Sequence, residues 1–194
     1  MIETADSRPG ARYMKMAQEN GWVGFCDPQL AFRSSELLEL SALWHQVKGA
    51  GEIPRRAVFT PRVLKSCLPH VAIYERVICP QKGLRYRVRL MGTRFADVMG
   101  DLTGKFVDEA IAPQFLPRWY AALDAVLEAR VPLRFLSRSD TTDKKFLLGE
   151  FFEAPLLNDN GEPDLVLAAG IHSAMHSWKQ VIAEERARNV AAAA

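Results

Sequence analysis

Several groupings in this chain carry residue types and spacings that chemistry uses. Cys79 and Arg85 stand in a Cys-x5-Arg spacing, which in a phosphate-cradling loop sets a thiolate and a guanidinium around one anion. That chemistry needs the loop to open a helix. Here Arg85 opens a strand-like run and no Ser or Thr follows it, so the segment reads as a hairpin loop. His172 and His176, four apart, would share one face of a helix and hold a metal there. His172 instead ends a strand-like run and no third ligand is near in sequence, so no metal site is expected. His70, at a strand entrance beside Pro69, reads as a structural hydrogen-bonding group, and His45 as a helix-surface residue. Asp97, Asp101, Asp108 and Glu109 are the carboxylates available for acid–base work. Beside a Gly-containing turn they read as caps and solvating charges. No Ser/His/Asp arrangement, phosphate-binding P-loop or zinc spacing is present, and no enzyme is expected.

Arg85, Arg87 and Arg89 form a one-sided basic row on a strictly alternating strand, LRYRVRL. They are expected to be solvated or paired with Glu75, Glu150 or Glu153 across a sheet. A net charge of only +2, with no aromatics interleaved on that face, argues against a nucleic-acid partner. Leu84, Tyr86, Val88 and Leu90 take the opposite face, which reads as core.

The elements that must position these groups follow from periodicity. With 194 residues, 48% of them apolar, the chain can bury a single-domain core. Residues 1–33 lack a clear period and read as a loosely attached arm. Ser34 and Ser35 cap a helix, SELLELSALWHQVK, that Gly49 stops. VAIYERVI and LRYRVRL form a hairpin around Cys79–Gly83. RFADVMG is a short helix and QFLPRWYAALDAVLEAR a longer one, with Pro113 and Pro117 near its start. Three strands, PLRFLSR, KFLLGEFFEAPL and PDLVLAAGIHS, precede a helical tail over 177–194. The fold class is α+β: a five-stranded antiparallel sheet with helices on one face, flanked by N- and C-terminal helices. Three scattered cysteines (Cys26, Cys67, Cys79), no secretory leader and no membrane-spanning run predict a cytoplasmic protein.

The residues and their order together resemble the PAS_5 type of PAS domain, a bacterial family found mostly in alphaproteobacteria. Leu43-Trp44, Pro54-Arg55-Arg56, Thr60-Pro61, Cys67-Leu68-Pro69-His70-Val71, the run Tyr86–Thr93 and Gly100–Lys105 carry the resemblance. It covers about residues 36–173, with the domain drawn at 34–176 including its leading helix. One departure is Thr60, where an Asp before the Pro is expected. The resemblance implies a stand-alone sensor or regulatory module, with a small-ligand pocket between sheet and helices and output through protein contact. It favours a homodimer and an unknown signalling partner, with no membrane or nucleic acid, and leaves any cofactor unidentified. The Asn-Cys-Arg-Phe run of flavin photosensors is absent. Tyr86, Phe95, Met99, Phe106, Phe115, Trp119 and Phe135 are the pocket candidates. Leu37, Leu40, Trp44 and Val47 are expected either to pack on the outer sheet face or to form a dimer seam. The alternatives are an interaction domain with a filled core, or a small enzyme using the loop carboxylates.

Overall fold

Strict alternation becomes strands and mixed apolar spacing becomes helices, in a computed structural model that describes residues 8–139, 147–174 and 177–192. In chain order the elements begin with α1 (Ala11–Glu19), β1 (Gly24–Asp27), α2 (Ser35–Lys48) and α3 (Pro61–Leu64). The hairpin β2 (Val71–Cys79) and β3 (Gly83–Met91) leads into α4 (Thr93–Met99), α5 (Val107–Ala110) and α6 (Leu116–Ala129). Strands β4 (Leu133–Arg138), β5 (Leu147–Leu156) and β6 (Leu165–Ala174) then precede α7 (Trp178–Ala192). The Ser34 hydroxyl accepts from the Leu37 N–H to cap α2, and Gly49 ends it at φ 58°. Thr60 caps α3 in the same way through Val63 N–H, so the Thr in place of Asp keeps the cap. The fold class is mixed α+β.

The sheet has six strands, not five, in the order β1-β4-β5-β6-β2-β3, every neighbouring pair antiparallel. The sixth, β1, comes from the segment expected to be a loose arm. Its residues Gly24–Asp27 pair with Ser137–Arg134 of β4, and the Tyr13 ring of α1 packs edge-on against Phe135. Two turns of helix and four residues of strand are too short to show a period in sequence, yet they cover an edge that would otherwise expose its backbone groups. A second correction concerns β3. Register shifts between Ile73 and Tyr74, so that Ile73 opposes Leu90 while Tyr74 opposes Val88, leaving Arg89 as a bulge. Tyr86 and Val88 therefore face one core layer while Leu90 packs into the other.

The two layers lie on opposite faces of the sheet. Inside, α1, α4, α5 and α6 cover Ala72, Tyr74, Tyr86, Val88, Phe135 and Val166. Outside, α2 lays Leu37, Leu40 and Trp44 over Val71, Ile73, Phe152, Ala154 and Leu167. The Trp44 indole donates to the Pro155 carbonyl at 3.1 Å. Of the two uses expected for this helix, packing on the outer sheet face is the one observed. Leu37, Leu40 and Trp44 are covered within one chain, while Val47 is half-buried at the edge. Further along the same face, α7 seats Val181, Trp178 and Ile182 against Phe25, Leu136 and Leu148.

A buried ion cluster joins these outer elements. Arg134 of β4, with no solvent exposure, donates to Glu150 Oε1 at 2.6 Å, to Asp27 Oδ2 at 3.2 Å and to both Glu185 oxygens. Glu150 also accepts from the Arg33 and Ser34 backbone amides at the start of α2, and Asp27 from Gln29 and Ala31. Arg33 adds a second guanidinium, 2.7 Å from Glu185. Burial pushes the Glu185 carboxyl up, but the Arg134 and Arg33 guanidinium groups hold it below its ordinary value. Removing one member of such a set strands the others without compensation. Arg134→Ala is expected to lower unfolding stability by about 3–5 kcal/mol in urea titration. A loss under about 1 kcal/mol would contradict the role assigned to this cluster.

Candidate functional site

Strand alternation decides what the inner face can hold. On β5 the residues at 149, 151 and 153 point inward and those at 150, 152 and 154 point outward; on β6, Val166, Ala168, Gly170 and His172 point inward. The centre of this face is thus carpeted with small residues. The ring of Phe151 lies across two of them, and a Cβ on Gly149 or Gly170 would come within 2.4 or 2.8 Å of it. Such a close approach is open only to glycine.

Above this floor a pocket is enclosed by β2, β4, β5 and β6 below, α4 and α6 above, and Tyr13 of α1 at one side. Its walls are the rings of Tyr13, Tyr74, Phe95, Trp119, Phe135 and Phe151. Trp119 meets Tyr74 edge-on with centroids 6.2 Å apart. Polar groups come from Glu153 of β5, His172 of β6, Arg118 of α6 and Ser137, Arg138 and Ser139 at the end of β4. The cavity measures about 60 Å³, room for roughly two to four waters. That is far below the roughly 300 Å³ at which drug-sized ligand sites begin, so a tricyclic flavin does not fit this arrangement. None of the three cysteines lines it: Cys26 lies between β1 and α1, Cys67 beneath α2, and Cys79 at the hairpin turn.

Two buried polar atoms at this pocket have no partner. The Tyr74 hydroxyl and Glu153 Oε2 are sealed from solvent and make no hydrogen bond. Glu153 as a whole residue is half-buried, and it lines the cavity. Burial, its one identified cause, raises the Glu153 carboxyl from its ordinary 4.5 to about 8. Tyr74 is pushed well up by burial and then by the neighbouring Glu153 charge. A buried polar atom without a partner costs on the order of 1–3 kcal/mol and is rare in folded proteins.

Four of the seven expected pocket residues come together here: Phe95, Met99, Trp119 and Phe135. Tyr86 is buried nearby but turned under α6, where its hydroxyl donates to Asp124 and its ring meets Tyr120. Phe106 lies beneath the Arg85 guanidinium, 3.6 Å from its ring centroid, and Phe115 borders a separate groove with Trp22 and Val23. Both follow from α5 and the start of α6 lying beyond the edge of the pocket. Tyr74 escaped sequence reading, and Glu153 was read as a partner for the arginine row and not as a pocket group, although a Glu sharing a strand face with Gly149 and Phe151 was a usable signal.

The other groupings settle elsewhere. Arg85 grips Asp108 at 2.7 Å and Glu109 at 3.0 Å, and Arg87 and Arg89 both bind Glu75. Glu150 belongs to Arg134, and Glu153 faces away from the basic row. The Arg85 guanidinium holds Asp108 below the usual carboxylate range. Asp97 lies exposed near Arg94, Asp101 accepts from the Thr103 N–H, and none of these four carboxylates lines the pocket. His172 packs edge-on against Phe151 and Phe95, and His176 falls outside the described residues. Among the described residues no His, Cys, Asp and Glu group is placed to hold a metal, and no helix is long and apolar enough to cross a membrane.

The raised Glu153 value has a defined consequence. The folded protein binds the Glu153 proton more tightly than the unfolded chain, so stability falls as pH rises from 4.5 toward 8. Glu153→Gln removes that loss. The full shift corresponds to about 5 kcal/mol, and solvent screening of the half-buried side chain reduces it, so the variant is expected to match the parent near pH 4.5 and to exceed it by about 2 kcal/mol or more above about pH 8, in urea titrations across pH. A gain that shrinks with rising pH would contradict the assignment.

No curated protein matches the chain. Among solved structures it is similar to an RNA-binding Light-Oxygen-Voltage receptor, at 16% identity over 88% of this chain and 43% of that one, with a TM-score of 0.47. It therefore spans less than half of that receptor's length. A sensory box histidine kinase/response regulator from Burkholderia thailandensis E264 is 21% identical over 68% of this chain and 95% of that one, TM-score 0.36. The light-state LOV domain of the blue-light photoreceptor Aureochrome1 is 14% identical over 64% and 97%, TM-score 0.36. The family model for PAS_5, described as a PAS domain, matches residues 32–171. With that match running from before α2 through β2, β3, β4 and β5 and most of β6, the chain belongs to the PAS_5 family of PAS domains.

Proposed function

We propose that the chain is a sensory module of bacterial signal transduction that takes a small ligand into the pocket beneath α4 and α6 and passes the signal on by protein contact. The observation that carries this reading is the pair of unpartnered buried atoms, Tyr74 Oη and Glu153 Oε2, at an otherwise aromatic cavity. Ligand sites combine an apolar lining with a few convergent polar groups, and an orphaned pair is what a bound molecule would satisfy. Membership in a PAS family supports the sensory role. Catalysis forms no part of the proposal, because the loop carboxylates are engaged or exposed away from the pocket. Three cysteines without a disulfide fit a reducing, cytoplasmic setting. Signalling is proposed to run through a homodimer or a separate partner protein, on surfaces other than the covered side chains of Leu37, Leu40 and Trp44.

Native mass spectrometry of freshly purified protein tests this, with an absorption spectrum taken on the same sample. A mass above that of the chain, lost in Glu153→Gln and Tyr74→Phe, is the expected result. A bare chain that gains no mass from a metabolite extract would overturn ligand sensing in favour of an interaction domain with a filled core. The same spectrum reads oligomeric state, with twice the chain mass expected.

A further inference from the structure

The pocket sets an unpaired carboxyl among aromatic rings. Six aromatic rings line it, and an aromatic face carries negative electrostatic potential. The one carboxylate among the lining residues, Glu153, makes no ion pair, although arginines pair with carboxylates throughout the rest of the molecule. The cationic side chains that share the pocket belong to its β4 end. Arg118 donates to the Val23 and Arg138 carbonyls, which holds its guanidinium toward β1 and β4. Arg138 follows the last inward turn of β4 and is exposed. His172 stacks edge-on against Phe151 and Phe95. Tyr74 from β2 and Tyr13 from α1 also line the cavity; burial and the Glu153 charge raise both the Tyr74 hydroxyl and the Cys26 thiol of β1, which keeps those two groups protonated.

We infer that the ligand class of this pocket is a small organic cation, an amidinium or alkylammonium of about four or five non-hydrogen atoms, seated among the rings with its N–H groups donating to Glu153. The inference rests on the proposed ligand-binding role of the same pocket. Size follows from the cavity of about 60 Å³. Charge follows from the rings and the unpaired carboxylate together, since a cation gains from both and a neutral molecule from neither to the same degree. The Tyr74 hydroxyl supplies a second polar contact, accepting an N–H from the ligand.

Proton linkage makes the cation reading distinguishable from plain cavity filling. Below about pH 8 the carboxyl holds a proton, which a cation must displace to solvent as it binds. Affinity for a permanently charged ligand then rises about tenfold per pH unit up to that point and levels off above it.

Acetamidinium and acetamide are near-isosteric probes that differ in charge, and acetamidinium stays charged across this range. NMR titrations of the full chain at about pH 6 and about pH 9 give both affinities under both conditions. The expected result is a preference for acetamidinium of at least about tenfold at the higher pH, shrinking sharply at the lower one, and lost in Glu153→Gln. The pH profile of the unmodified protein carries the test even where the variant folds poorly. Equal binding of both probes would overturn the cation inference while leaving the ligand pocket intact. Binding of neither at millimolar concentration would also overturn it, and the native mass measurement then judges the pocket separately.

Discussion

A guanidinium with no access to water organises one side of this fold. Arg134 sits near the start of β4 with carboxylates reaching it from β1, β5 and α7, and its position is tolerable only while all three stay in place. Each of those carboxylates is in turn committed to something else. Asp27 holds the turn after β1, Glu150 holds the amides that open α2, and Glu185 takes a second guanidinium from Arg33. One desolvated cation therefore fixes where the N-terminal strand ends, where the covering helix begins and where the last helix lies. Apolar contact alone would not do this: the satellite cluster under α7 is small, built on Phe25, Leu136, Leu148 and Val181.

With the outer face closed by charge and by α2, the inner face is left to define the site. Its layout follows from the period of two. The inward positions of β6 run Val, Ala, Gly, His, a taper that opens space over the middle of the sheet, and Phe151 fills part of it only because Gly149 and Gly170 lack a Cβ. Helices α4 and α6 then roof the space with Phe95, Met99, Trp119 and Leu123. A flexible Met among rigid rings lets such a roof adjust its volume at low cost.

How much of this was legible in the sequence varied with the length of each signal. The hairpin, the three late strands, α2 and α6 each run long enough for periodicity to identify them, and caps at Ser34 and Gly49 mark their ends. The N-terminal helix and strand were missed because α1 buries only Tyr13 and Ala17 and β1 has four residues, too few to show a period. Their place is set by tertiary pairing with β4. The switch of Leu90 to the outer layer was hidden for a different reason, since a bulge at Arg89 breaks the alternation that sequence reading assumes. Within the site, aromatic residues pointed to the roof but overreached at Tyr86, Phe106 and Phe115, whose rings follow local partners: Asp124, Arg85 and the start of α6.

Glu150 and Glu153 make the most direct comparison in the molecule. They stand three apart on one strand, so the pleat sends them to opposite faces; Glu150 is buried, while Glu153 is half-buried with its Oε2 sealed from solvent. Glu150 receives a guanidinium and two backbone amides and belongs to the scaffold. Glu153 receives nothing, and its proton is held to about pH 8. The chain has arginines enough to neutralise a buried acid, and it spends three of them on acids at the β2–β3 hairpin face and two on the outer cluster. A carboxyl left alone on the side that also carries the cavity is a destabilising feature that folding does not require, since an apolar side chain at that position would extend the layer begun by Phe151. An unpaired carboxyl facing the aromatic cavity is a place where a binding role gives the residue a reason to be there.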